Sequence, residues 1–259
     1  MKKQNNMQYA ILSVIGLALF FGLWEIAVRT GIISERTMCS PSTALKTLIT
    51  KFYESKPDGA TVQEHFLTSL KLSLTGFVTA VVIGVPLGLF MGYFKAFDRI
   101  LMPLFEIIRP IPPIAWIPIV ILTLGIGMPA KVFIIFIAAF VPCVINSYLG
   151  IKLTNVTLIN VAKTSGASNW DIFVKVCIPS SMSMVFAGIR ISLGSSWSTL
   201  VAAEMLASVQ GLGYMIQMGR TLIRPDIIIV GMVTIGMTGA LMGLLLSLLE
   251  KKVAPWRYK

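Results

Sequence analysis

Of the 259 residues, 56% are hydrophobic and the mean hydropathy is +0.83, too apolar for a soluble domain, whose apolar share is typically about 45–50%. The net charge of +11 is scattered over short loops and forms no stripe or cluster, which excludes a nucleic-acid surface and leaves membrane topology as its reading. Cys39, Cys143 and Cys177 are odd in number and far apart, so they mark neither a disulfide framework nor a metal site.

Taken in order, the chain reads as an all-α polytopic membrane protein of about six transmembrane helices. Residues 1–8 are polar, with Lys2 and Lys3, and the apolar run 9–28 is long enough to cross a bilayer. A signal peptide's apolar region is about 7–15 residues and ends at a small-residue cleavage site; neither holds, so this is a retained first span with an inner N-terminus. Within residues 29–65, Ser40 or Ser42 caps a short amphipathic helix with Leu45, Leu48, Ile49 and Phe52 on one face, expected to lie along the outer surface. His65, the only histidine, has no second His, Cys or acid cluster beside it and reads as a solvated side chain.

The second span, 66–94, carries Gly84, Gly88 and Gly92, a small residue every four positions that lets another helix approach closely. Lys95 and Arg99 mark an inner loop. The third span, LMPLFEIIRPIPPIAWIPIVILTLG from residue 101, holds Pro110, Pro112, Pro113 and Pro118; each removes a backbone donor and crowds the preceding turn, so the span is kinked or broken near its middle. GIGMPA, residues 125–130, has the letters of a dinucleotide fingerprint, but no strand precedes it and Pro129 interrupts it.

The fourth span, 131–150, returns the chain to the inner side and delivers VTLINVAKTSGASNWDIFVKVCIP, residues 156–179, a long polar passage among apolar runs. At helical spacing Leu158, Val161 and Ala162 share a face, as do Ile172, Phe173 and Val176. Ser165, Gly166, Ala167 and Ser168 between them form a tight bend, where glycine takes angles other residues resist. Two short helices joined by a glycine elbow result, closed by Pro179 in the first turn of the next helix. The fifth span covers 180–203, and 204–226, with Gly211 and Gly213, is an outer or re-entrant loop. The sixth covers 227–249, and the tail ends inside with Trp256 and Tyr258 suited to the interface. On this topology the inner segments carry more Lys and Arg than acids.

Arg190, 11 residues past Pro179, falls about 16 Å along its helix, near mid-membrane, and is expected to face the bundle interior or a wet cavity. Ser192, Ser195, Ser196, Ser198 and Thr199 make that span unusually polar. Glu106 and Arg109, spaced to pair on one helix face just before the proline break, join Pro112, Pro113 and Glu204 as candidate residues of a pathway. Two readings stay open: a positively lined route suited to a small anion, or an arginine capping carbonyls freed at a kink beside an internal Glu106–Arg109 pair. An ion-coupled carrier or channel is the alternative class; the spans offer it few buried carboxylates, and it has no use for the inner elbow. No G-x4-G-K-[ST], metal-ligand cluster or nucleophile–base pair supports an enzyme.

The elbow resembles the cytoplasmic coupling loop of ABC-importer permeases, whose pattern is E-A-A, three residues, G, nine residues, then I-x-L-P. Aligned on Gly166 and Pro179, Val176, Cys177, Ile178 and Pro179 stand for the last four positions, and Asn160, Val161 and Ala162 occupy the E-A-A places. RPIPPIAWIPIVILTLGIG, AGIRISLG, VAAEM and GLGYMI follow in matching order and resemble the nitrate/sulfonate/taurine/bicarbonate branch. The resemblance implies a type I importer (MetI-like) permease fold in the bacterial inner membrane, with both termini cytoplasmic. It implies an N-terminal helix and outer segment (1–59), a permease core (60–250, coupling loop 155–179) and a cytoplasmic tail (251–259). It also implies a second permease copy, two ATPase subunits that hold the ATP and Mg, and an external solute-binding protein; this chain holds no cofactor of its own. Contact with the ATPase falls by resemblance to Asn160, Val161, Ala162, Lys163, Gly166, Ala167, Ser168, Trp170 and Pro179, and the solute to a small anion such as a sulfonate, taurine or nitrate.

Overall fold

The structure is a computed structural model that describes the backbone of residues 2–253 and the side chains of residues 9 and 11–253. Trp256 and Tyr258 of the tail, and the side chains of Lys2 and Lys3, lie outside the described residues. In chain order the elements are α1 (Lys2–Arg29), α2 (Pro41–Lys51), α3 (Val62–Tyr93), α4 (Lys95–Ile108), a 3-10 turn (Pro113–Trp116), α5 (Ile117–Leu124) and α6 (Met128–Lys152). Then come α7 (Val156–Thr164), α8 (Asn169–Ile172), a π turn (Phe173–Cys177), α9 (Ile178–Ala207), α10 (Leu212–Thr221) and α11 (Pro225–Val253). Among the described residues, five helical stretches are long and apolar enough to cross a membrane, or six when α4 and the bent segment after it count as one broken span. That is the all-helical, six-span architecture the periodicity implies.

Two compact units divide the chain: the N-terminal part through Phe66 with Gln210–Ile235, and Leu67–Val209 with the chain from Gly236 onward. In the first, the Ser40 hydroxyl accepts the Thr43 N–H at 3.3 Å and Pro41 takes the first turn of α2. Glu25 of α1 accepts the Ser42 N–H at 3.0 Å and its hydroxyl at 2.7 Å, pinning the start of α2. Of the expected apolar face, Leu48 packs against Val62, Met215, Ile227 and Val230, while Leu45, Ile49 and Phe52 stay exposed. The segment 204–226, expected as a loop, contains α10. Gly211 and Gly213 mask the helical pattern there, but Leu212 and Met215 bury completely, and the left-handed backbone at Gly211 (φ +131°) starts the turn.

His65 is not solvated: it is fully buried with Lys51 and Asp58. Lys51 donates to the Ala60 carbonyl at 2.6 Å and pairs with the Asp58 carboxylate. The His65 ring presents Nε2 to the other Asp58 oxygen at 3.2 Å, off the line of a good hydrogen bond, and its Nδ1 accepts the Gly211 N–H at 3.0 Å. That acceptor role places the ring proton on Nε2, facing the carboxylate. The partners are spread over a loop and a distant glycine, so no local pattern around His65 announces them. Lys51→Met, which leaves Asp58 buried without its ammonium, is expected to cost about 3–5 kcal/mol, read as a fall in the melting temperature of the purified protein. Burial by itself would raise the Asp58 pKa, but the His65 Nε2–H facing the carboxylate and the Lys51 ammonium bonded to it outweigh burial and hold the carboxyl below its ordinary value. A depressed carboxylate stabilises the fold above its unfolded pKa of about 3.9, and that stability goes as pH falls through the lowered folded value.

In the second unit α3 lies against α6 through glycines. A Cβ on Gly88 would sit 2.3 Å from the Val144 carbonyl oxygen, and one on Gly92 2.7 Å from the Ile151 side chain. Backbone contact this close is open only to glycine. α9 meets α6 in the same way, Gly150 against Ser181 and Gly188 against Asn146, and the Ser192 hydroxyl donates to the Ala139 carbonyl at 2.7 Å. The prolines break the third span as expected: α4 ends at Ile108 and the chain bends by 86° before Pro113–Leu124.

Candidate functional site

The elbow is built by two helix caps. The Asn155 side chain accepts the Thr157 N–H at 2.8 Å and starts α7; the Ser168 hydroxyl accepts the Asp171 N–H at 3.1 Å and starts α8. Between them the Ala167 N–H reaches the Ala162 carbonyl and the Gly166 N–H reaches the Lys163 carbonyl, each at 3.0 Å, with Gly166 at φ +80°. This is a Schellman end, which satisfies the last carbonyls of α7 and needs a left-handed residue at one place, the place Gly166 fills.

The inward face of α7 is Ile159 and Ala162, packed with Ala167 against a core of Leu89, Ile151, Ile172, Phe173, Cys177 and Val185. Leu158 and Val161, expected on that face, point outward; the helix turns its neighbouring stripe to the core because Ala162 belongs to both. Asn160, Val161, Lys163 and Trp170 therefore form an exposed surface, Val161 at 57% and Trp170 at 58%. Pro179 does not close the second helix. α8 runs through the π turn into α9 as one span from Asn169 to Ala207, and the Ile178 N–H bonds back to the Phe173 carbonyl. The wider turn absorbs the donor and the space that Pro179 denies the ladder one residue later. Tyr93, at the end of α3, was not among the sequence candidates; its hydroxyl donates to the Asn169 carbonyl at 2.7 Å and its ring packs on Phe173 at 4.9 Å. A tyrosine closing an apolar helix is the faint signal that marks it.

The pathway candidates separate into three groups. Arg109, Pro113 and Ser195 line one cavity of about 340 Å³ at the bend, with Asn146 and apolar walls that include Val141 and Ile191. Asn146, whose amide donates to the Pro142 carbonyl at 2.8 Å, was missed, although an amide within an apolar span is a polar signal of its own. Glu106, Pro112 and Ser198 are exposed and do not line this cavity. Among the described residues no ion pair joins Glu106 to Arg109: α4 ends at Ile108, and Arg109 sits at the cap. Arg190 is paired with Glu250, near the Lys251–Lys252 end of α11, and its side chain is 54% exposed. Its span runs from Asn169 to Ala207, so its place along the span is counted from Asn169 rather than from Pro179. Glu204 is fully buried and accepts the Ser69 hydroxyl at 2.7 and 2.9 Å. No group of three or more His, Cys, Asp or Glu among the described residues could hold a metal ion.

Comparison with known proteins gives this arrangement its context. Residues 84–257 match the family described as binding-protein-dependent transport system inner membrane component. A probable ABC transporter permease protein of Brucella abortus is 35% identical, the match covering 95% of each chain. The taurine transport system permease protein of Escherichia coli is 32% identical over 95% of this chain and 89% of its own. The nitrate import permease protein of Leptolyngbya laminosa is 28% identical over 96% and 90%.

Proposed function

From the premise that the chain belongs to the binding-protein-dependent inner membrane components of ABC transport systems, we propose how it performs the work of an importer's permease subunit. Two copies stand side by side, an external binding protein delivers the solute, and two ATPase subunits bind ATP and Mg and dock on the inner elbow. The termini face the cytoplasm. The solute carries a compact anionic group, a reading supported by relatives named for nitrate and for taurine, a zwitterion with a sulfonate.

The single observation that carries the coupling role is the elbow itself: a rigid glycine-capped corner whose outer surface of Asn160, Val161, Lys163 and Trp170 stays open while its inner face is packed. Such a piece transmits displacement. Closure of the ATPases pushes α7 and α8; α8 is continuous with α9, and α9 is packed through Gly188 and Ser192 on α6, so the stroke tilts the helices that border the cavity. Tyr93 and the rings around Phe173 carry it also to α3.

Affinity purification of the tagged chain from its own membrane in mild detergent is expected to bring an ATP-binding subunit with it. The reconstituted complex should hydrolyse ATP faster when solute-loaded binding protein is added. Solute uptake by this chain alone, in vesicles without ATP, would overturn the proposal in favour of an ion-coupled carrier.

A further inference from the structure

We propose that the cavity at the break of the third span is a way-station for a compact oxyanion, held by the Arg109 guanidinium with Ser195 and Asn146. The inference deepens the permease reading above and rests on it. At about 340 Å³ the cavity is at the small end of the roughly 300–1,000 Å³ of ligand sites, room for a small solute and a few waters.

Its electrostatics are one-sided. Arg109 lines it, and among the described residues no carboxylate pairs with that guanidinium or lines the cavity. The other candidate charges are engaged elsewhere: Arg190 with Glu250, Glu204 with Ser69. Glu106, one turn before Arg109 on α4, is exposed and does not line the cavity. Walls such as Ile111, Val141 and Ile191 lower the local dielectric, which strengthens the attraction of a single cation for an anion.

The chemistry of the three polar groups narrows the ligand. A guanidinium presents parallel N–H donors that match two oxygens borne on one central atom. The Ser195 hydroxyl and the second N–H of the Asn146 amide, whose first goes to Pro142, are the donors for a third oxygen. The group best matched is a monoanion with three oxygens on one atom, as in a sulfonate or nitrate; a neutral sugar or a cation gains nothing from Arg109.

The test uses the complete transporter, with binding protein and ATPase subunits, in vesicles, with nitrate and taurine as probes. Arg109→Gln is expected to lower uptake of whichever probe the wild type carries by about ten- to a hundredfold, the effect of losing one charged hydrogen-bonding group. Arg109→Lys, which keeps the charge and loses the fork, should recover part of it, and Ser195→Ala should raise the half-saturating probe concentration with less change in maximal rate. All three variants should reach wild-type levels in the membrane and keep their ATPase subunits through purification. Full-rate uptake by Arg109→Gln, or equal uptake by the Gln and Lys variants, would overturn the site while leaving the permease role intact. Wild-type complex with no stimulated hydrolysis would overturn the permease role instead.

Discussion

Gly166→Val is expected to abolish solute uptake, by at least about tenfold, while the protein still inserts and reaches wild-type levels in the membrane. The expectation follows from backbone angles alone. Gly166 sits at φ +80°, and a Cβ built there meets nothing within 4 Å, so no clash contributes. An L-residue in the left-handed region costs roughly 1–2 kcal/mol, and a β-branched one more, whereas asparagine visits the region readily. The variants should therefore rank Asn, Ala, Val in increasing damage. What fails is the Schellman end: without the left-handed residue the Ala167–Ala162 and Gly166–Lys163 bonds part, and α7 no longer meets α8 at a fixed angle. Parallel assays of uptake and ATP hydrolysis in reconstituted complex check this, since a loose elbow lets hydrolysis run without transport. Equal, wild-type coupling in the Val and Asn variants would remove the elbow from the mechanism.

A second substitution is expected to act on folding. Gly88→Ala places a methyl 2.3 Å from the Val144 carbonyl oxygen and 2.8 Å from the Ser147 Cβ, and a helix backbone cannot yield as a flexible side-chain end can. We expect a loss of about 2–3 kcal/mol, seen as a lower melting temperature and less folded protein in mild detergent. Gly243→Ala on α11 is the control: a Cβ there meets nothing within 4 Å, and alanine is the better helix former by about 1 kcal/mol, so stability should hold or rise. If both variants melt alike, α3 and α6 do not pack through the glycine row.

The row was visible in the sequence as Gly84, Gly88 and Gly92, because a four-residue period puts them on one helix face whatever that face meets. What it meets was not. Gly76 falls on the same four-residue period, two steps before Gly84 with Ala80 between, and a Cβ there would sit 2.7 Å from the Ile135 side chain, so the seam extends further along α3 than the triplet marks. The elbow was legible for a similar reason: its angles are set within a few residues by Asn155, Gly166 and Ser168. The direction its helices turn was misjudged, since Leu158 and Ile159 are equally plausible core residues until the core is present.

The sequence by itself determined the spans, the break that four prolines impose on the third of them and the glycine corner between the fourth and fifth, because each follows from interactions within a few residues. Only the tertiary structure decided the pairings: Lys51, Asp58 and His65 with Gly211, Arg190 with Glu250, Ser69 with Glu204, and Arg109 beside Asn146 and Ser195. Helical periodicity tells which way a side chain faces along its own axis. It carries no information about which other helix stands there, and in an apolar bundle the cost of an unsatisfied buried charge makes that neighbour the choice that fixes the site.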